Sequence, residues 1–281
     1  MQITARGKVL NLNQPAIMGI LNVTPDSFSD GGRYNTLSKA LEHAETMVRE
    51  GAVIIDIGGE STRPGAAAVS VEEEIARVVP VVRALSAELD VMISVDTSQP
   101  QVMSEAYRAG AHIWNDIRAL RLPHALETAA SLNIPVILMH MQGQPRTMQQ
   151  APHYDDTVRE VKDFLLQRAE AALQAGVKKE NIILDPGFGF GKSVADNFIL
   201  LNDLEQLCAL GYPLLSALSR KSMLKAACGI ESAQERVIPS VAGHLISVMK
   251  GASIVRVHDV RQTREALDVF NAMRDPKEFL A

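Results

Sequence analysis

Ten polar side chains stand where short apolar runs of this sequence end: Asn22, Asp56, Asp96, Asn115, His140, Asp185, Ser219, Lys221, Arg256 and His258. Carboxylates and amides bind the donor and acceptor edges of polar heterocycles, and an arginine beside a histidine binds anions. Taken singly, an Asp or Asn at the end of a strand serves as readily to cap the following helix. That account fails for Arg256 and His258. They alternate along SIVRVHD, so both point one way, inward if Val255 and Val257 face a helical layer. The stretch DPGFGFGKS (185–193) looks at first like a phosphate loop. A P-loop needs G-x-x-x-x-G-K-[ST], and the position five before Gly191 is Pro186, which has no N–H to aim at a phosphate. Asp185 and its glycines therefore call for a different explanation.

The elements that must position these residues are legible as alternating patterns. Apolar, β-branched runs at 17–23, 53–59, 91–97, 112–117, 135–140, 181–186, 213–218 and 253–259 predict about eight strands. Helical periodicity fills the intervals at 37–50, 71–89, 99–109, 124–133, 156–175, 197–210 and 261–273. Repeated strand–helix units of this number predict a parallel (β/α)8 or TIM barrel, an α/β fold whose functional groups gather at the carboxyl ends of the strands. The opening ITARGKVLNL reads as a small β-hairpin placed to cover the barrel's bottom. No Pro/Ser-rich linker divides the chain, which predicts one domain over 1–281.

Composition narrows the class. With 281 residues, 47% of them hydrophobic, the chain can bury one substantial core. A net charge of -5 argues against a general nucleic-acid surface, so any phosphate site is local. Cys208 and Cys228 are the only cysteines and have no zinc spacing. No apolar run approaches the roughly 18 residues of a membrane span, and MQITARGKVL lacks the apolar core of a signal peptide, so the expected location is cytoplasmic, with no membrane partner.

Four motifs go further. MGILNVTPDSFSDGG (18–32), DIGGESTRPGA (56–66), LDPGFGFGK (184–192), and SRKS with the later RVHDV closely resemble the dihydropteroate synthase family, the sulfonamide target of folate biosynthesis. The resemblance runs from near residue 3 to about residue 270. It implies a TIM barrel, usually a homodimer, that joins 6-hydroxymethyl-7,8-dihydropterin diphosphate to p-aminobenzoate and releases pyrophosphate with help from Mg²⁺. By the same resemblance Asp96, Asn115, Asp185 and Lys221 hold the pterin, with Asp185 accepting two neighbouring donors of its guanidine-like edge. Asn22, Thr62, Arg63, Arg256 and His258 match the diphosphate site, with Asn22 on the metal. Phe28, Thr62, Arg63, Pro64 and Ser222 match the p-aminobenzoate site.

The residues also bear on the reaction. No Ser, Cys or His constellation suggests a covalent enzyme intermediate, and an aniline nitrogen is neutral at pH 7. Because the resemblance puts the reacting carbon next to an electron-rich dihydropterin ring with an excellent leaving group, a dissociative substitution is expected, with Asp96 and Asp185 stabilising the cation and Arg256, His258 and Mg²⁺ the departing pyrophosphate. Three other functions fit less of the sequence. A pterin-binding methyltransferase would lack the STRPG loop and the anion pair; a Schiff-base aldolase would use Lys221 as its reactive amine; a non-catalytic homologue would bind pterin alone. Two positions depart from the family pattern: Pro239 in ERVIPSVAG, where ERLxGSLA is usual, and Ala217, where glycine is common and a methyl would tighten the pterin pocket.

Overall fold

The computed structural model describes residues 1–24, 33–60, 69–144 and 147–277. Strands β1 (Gln2–Ala5) and β2 (Lys8–Asn11) form an antiparallel hairpin. The main sheet contains β3 (Ala16–Asn22), β4 (Ile54–Gly58), β5 (Met92–Asp96), β6 (Ile113–Asp116), β7 (Val136–Met139), β8 (Ile182–Asp185), β9 (Leu215–Ser216) and β10 (Ile254–Val257). Its order is β8-β7-β6-β5-β4-β3-β10-β9, parallel throughout, and a Leu184–Leu214 bridge beside β9 brings the two edges together. The result is a nearly closed (β/α)8 barrel. Continuous Ile, Val and Leu runs build it because parallel strands are covered on both faces.

Alternation along each strand sorts side chains into two layers. Ala16, Met18, Ile54, Met92, Ile113, Ile137, Ile183 and Ile254 fill the lower interior, and Ile3 and Leu12 from the hairpin region pack into the same cluster. The hairpin thus plugs the bottom, as its sequence suggested. Val255 and Val257 lie in the outer layer under the helices, which turns Arg256 inward. Trp114 is also in the outer layer, fully buried, with Nε1 donating to the Thr97 carbonyl at 2.7 Å.

The helices are α1 (Arg33–Arg49), α2 (Val71–Glu88), α3 (Pro100–Ala109), α4 (Ala125–Leu132), α5 (Thr157–Gln174), α6 (Val194–Asn202), α7 (Glu205–Cys208), α8 (Ser222–Cys228), α9 (Val237–Met249) and α10 (Val260–Arg274). The single helix expected over 197–210 is two. It begins earlier, where Ser193 and Asp196 form a reciprocal cap, and breaks at Asp203. Pro239 is the third residue of α9, where an N–H has no partner within the helix to lose.

Candidate active site

The strand ends place Asp56, Asp96, Asn115 and Asp185 on the barrel's carboxyl rim, with Asp96 and Asn115 directly paired in register. Arg256 spans the barrel from β10. Its Nε donates to Asp56 Oδ2 at 2.6 Å and its Nη2 to Asp96 Oδ2 at 2.9 Å. Asn115 Nδ2 donates to the same Asp56 oxygen at 3.1 Å. Asp56 is wholly buried, and its Oδ1 has no hydrogen-bond partner among the described residues. Burial would depress the Arg256 pKa, but the Asp56 and Asp96 carboxylates raise it overall. Asp96 is pushed up to about 7, first by burial and then by Asp56, Glu74 and Asp116, with Arg256 opposing them. Among the hydrogen bonds and ion pairs of the described residues, the cation that touches Asp96 is the Arg256 guanidinium. Asp56 was recognised in the sequence as a strand-end carboxylate but was left out of the expected site.

A second group forms around β8. Asp185 Oδ1 accepts the Gly187 N–H at 2.7 Å. Burial raises the Asp185 pKa, against that hydrogen bond and the charges of Lys221, Arg256 and Lys192. Lys221, which precedes α8, donates from Nζ to the Phe188 carbonyl, and the ammonium lies 4.4 Å from the Phe190 ring centroid. Burial brings its pKa down to about 8, although Asp185 pulls the other way. Each partner is thus biased toward its neutral form in this cleft.

The glycines of the β8 loop have a reason that the sequence did not show. Gly187 (φ 66°) and Gly191 (φ 60°) occupy left-handed conformations. A Cβ at Gly187 would stand 2.0 Å from the His140 carbonyl oxygen, and one at Gly191 would stand 2.3 Å from that of Gln142. The loop lies against the backbone that leaves β7, and only glycine fits there. Phe188 is fully buried in the outer core, while Phe190 is half-buried, so this is not an exposed turn.

The remaining expected residues divide. Asn22 ends β3 half-buried, with its Oδ1 about 3.5 Å from the place a Gly58 Cβ would take. His258 Nδ1 lies 3.0 Å from Ser219 Oγ, so His258 and Arg256 share the rim but not a hydrogen-bond partner in these contacts. Ser222 is the exposed first residue of α8. Ala217 is buried and packs in the interior cluster beneath the rim. Phe28, Thr62, Arg63 and Pro64 lie outside the described residues. No group of three or more His, Cys, Asp or Glu that could hold a metal occurs among the described residues.

A barrel with a polar rim of this kind defines an α/β enzyme that binds a small polar ligand at its strand ends. The profile of the family described as pterin binding enzyme matches residues 18–258. Haemophilus influenzae dihydropteroate synthase is 55% identical over 272 residues, spanning 97% of this chain and 98% of that one. The Yersinia pestis dihydropteroate synthase solved with a sulfonamide drug complex superposes with a TM-score of 0.93 at 54% identity, covering 98% of this chain and 99% of that chain. The Xanthomonas albilineans enzyme in complex with 7,8-dihydropteroate gives 0.90 at 48% identity, over 98% and 99% of the two chains. The chain belongs to the dihydropteroate synthase family of pterin-binding enzymes.

Proposed function

We propose that this chain catalyses the condensation of 6-hydroxymethyl-7,8-dihydropterin diphosphate with p-aminobenzoate, giving 7,8-dihydropteroate and pyrophosphate. The observation that carries the reading is the set of buried Asn115 and Asp185 with half-buried Asp96 and Lys221 at one rim of the barrel. That set offers two carboxylate acceptors, one mixed amide and one donor, which complements a pterin's amino group, ring N–H groups and carbonyl. The family membership and the dihydropteroate bound to the Xanthomonas relative support the same reading.

In the reaction the bond from the pterin methylene carbon to the diphosphate oxygen breaks, and the electron pair leaves with pyrophosphate. The p-aminobenzoate nitrogen forms the new bond to that carbon and then loses its proton. Asp185 anchors the guanidine-like edge, and Lys221 donates to the carbonyl side. Asp96 and Asp185 stabilise the cationic methylene, and preorganised charge of this kind needs little rearrangement during the step. Arg256 and His258 face the departing pyrophosphate, with Thr62 and Arg63 beside it. Phe28, Thr62, Arg63, Pro64 and Ser222 receive p-aminobenzoate. Arg256 begins with Nε and Nη2 on Asp56 and Asp96, so its engagement with the leaving group competes with those carboxylates.

The donor set fits Mg²⁺ only as an ion that arrives with the diphosphate: Asn22 offers a single amide oxygen, and such ions keep phosphate and water ligands. Asn22 would hold it, and its chemistry when bound is to neutralise diphosphate charge. The chain acts as one domain, as a homodimer in the cytoplasm, with small molecules as its partners. Pyrophosphate release measured with each substrate alone and with both tests the reading. Release should require both, together with Mg²⁺. Pterin binding without release in the complete mixture would establish a non-catalytic pterin-binding protein instead.

A further inference from the structure

Lys192 is the charged residue of the GFGFGKS stretch that the proposed chemistry leaves unused, and it is almost wholly buried at 3% exposure. Its Nζ lies 2.8 Å from His140 Nδ1, 2.9 Å from the Gly187 carbonyl and 3.1 Å from the Phe190 carbonyl. With the His140 carbonyl at 3.5 Å, four acceptors stand around an ammonium that has three protons. Burial and the neighbouring Lys192 charge push His140 down to about 2, so its ring is neutral and accepts at Nδ1. An amine enclosed in this way does not reach a phosphate.

The carbonyls of the loop show what it holds instead. Gly187 and Phe190 point to Lys192, and Phe188 points to Lys221. Gly189 accepts from Gln149 at 2.5 Å and Gly191 from the Tyr154 hydroxyl at 2.6 Å. Each of the five carbonyls therefore has a named donor, and three of the five use the two lysines. Gly187 is the joint: its N–H fixes Asp185 Oδ1, while its carbonyl is fixed by Lys192. The next carbonyl, that of Phe188, sets the place of the Lys221 ammonium.

We propose that Lys192 is a positioning residue for the pterin site, buried behind the β8 loop so that Gly187 orients Asp185 and Phe188 orients Lys221. The inference rests on the proposed function, since it concerns the same site. It also carries an electrostatic consequence. Lys192, Lys221 and Arg256 all favour the ionised form of Asp185; burial pulls the pKa of Lys192 itself well below the usual lysine value, with Asp185 and Asp196 opposing and Lys221 adding to the fall, beside the neutral His140. Removing Lys192 raises the proton affinity of Asp185. Because the carboxylate must be ionised to accept two donors, the acid limb of pterin binding moves to higher pH.

The test uses calorimetric titration of the full chain with 6-hydroxymethylpterin, with pyrophosphate and Mg²⁺ present, across a pH series. Lys192→Met should weaken the pterin by tenfold or more and shift the acid limb upward, while KM for p-aminobenzoate changes less than threefold. The control Tyr154→Phe removes a donor from the same loop at Gly191, whose carbonyl bonds to neither Asp185 nor Lys221, and should leave the limb in place. Lys192→Gln keeps a donor but no charge, and should shift the limb even where the loop holds. An unmoved limb with pterin affinity within twofold of wild type overturns the assignment, as does failure of both Lys192 variants to fold, which would make Lys192 a stability residue. Wild-type protein that binds no pterin would instead defeat the functional reading itself.

Discussion

Replacing Asp56 with alanine tests how the charges at the rim are balanced. In the folded protein one guanidinium serves two carboxylates, and Asp56 takes the shorter contact, 2.6 Å against 2.9 Å for Asp96. Removing one partner of a buried ion pair costs about 3–5 kcal/mol when the other is left alone. Here two features lower that figure. Asp96 remains on Arg256, and deleting Asp56 also deletes an oxygen with no partner among the described residues, a burden of about 1–3 kcal/mol. The expected net destabilisation by Asp56→Ala is about 2 kcal/mol near neutral pH.

The dependence on pH is the sharper part. Folded Asp96 holds its proton up to about 7, against 3.8 for the ordinary carboxyl, so the folded state binds more protons across that window. Wild-type stability must then fall, through this group, as pH rises from about 4 to 7. Asp56 is one cause of the raised value, so Asp56→Ala lets Asp96 ionise earlier and flattens the fall. The deficit of the variant should be greatest near pH 5, about 3 kcal/mol, and shrink to about 1–2 kcal/mol at pH 8, where two carboxylates compete for one cation. Urea unfolding of both proteins at five pH values, followed by circular dichroism, measures it. A deficit that grows with pH, or does not vary, would refute the coupling of Asp56 and Asp96 through Arg256.

Strands were readable to within a few residues because each buried parallel strand is a continuous apolar run, and burial on both faces writes itself directly into composition. Where the expectation over 213–218 ran long, regular pairing is confined to Leu215–Ser216; Pro213 and Leu214 contribute only carbonyls, to Leu184 and to Ser253 and Ile254. Asp203 divides the helix expected over 197–210 because its N–H still closes on Ile199 while its own conformation leaves the helix. Site residues at strand ends were visible as chemistry, but their partners were not. Asn115 is 59 residues from Asp56 and Arg256 is 200 residues from it, separations that only barrel closure spans. The glycines at 187 and 191 failed the phosphate-loop pattern without another local explanation, because their nearest neighbours are backbone atoms of His140 and Gln142, a contact between adjacent strands' exits that no local pattern encodes.

Gly187→Ala should unfold the β8 loop, because the left-handed backbone costs a side chain about 1–2 kcal/mol and the new Cβ would stand only 2.0 Å from the His140 carbonyl oxygen, a backbone atom; normal thermal stability in this variant would contradict the packing. Trp114 should emit as a buried indole and resist iodide quenching in the free protein, and ready quenching would contradict its place between strands and helices. Glu74→Gln should stabilise the protein in a pH-dependent way. Glu74 is 2% exposed, with Oε1 unpartnered among the described residues, and its pKa rises to about 7 chiefly through burial, with Glu60 adding to it and Thr97 and Arg77 opposing. A carboxyl whose folded pKa exceeds its unfolded value of 4.5 loses stability as pH rises between the two, whereas the amide has no proton to lose. The advantage of Glu74→Gln should therefore be absent near pH 4 and reach about 2–3 kcal/mol by pH 8; a difference that stays constant from pH 4 to pH 8 would mean that Glu74 is not held neutral by its burial.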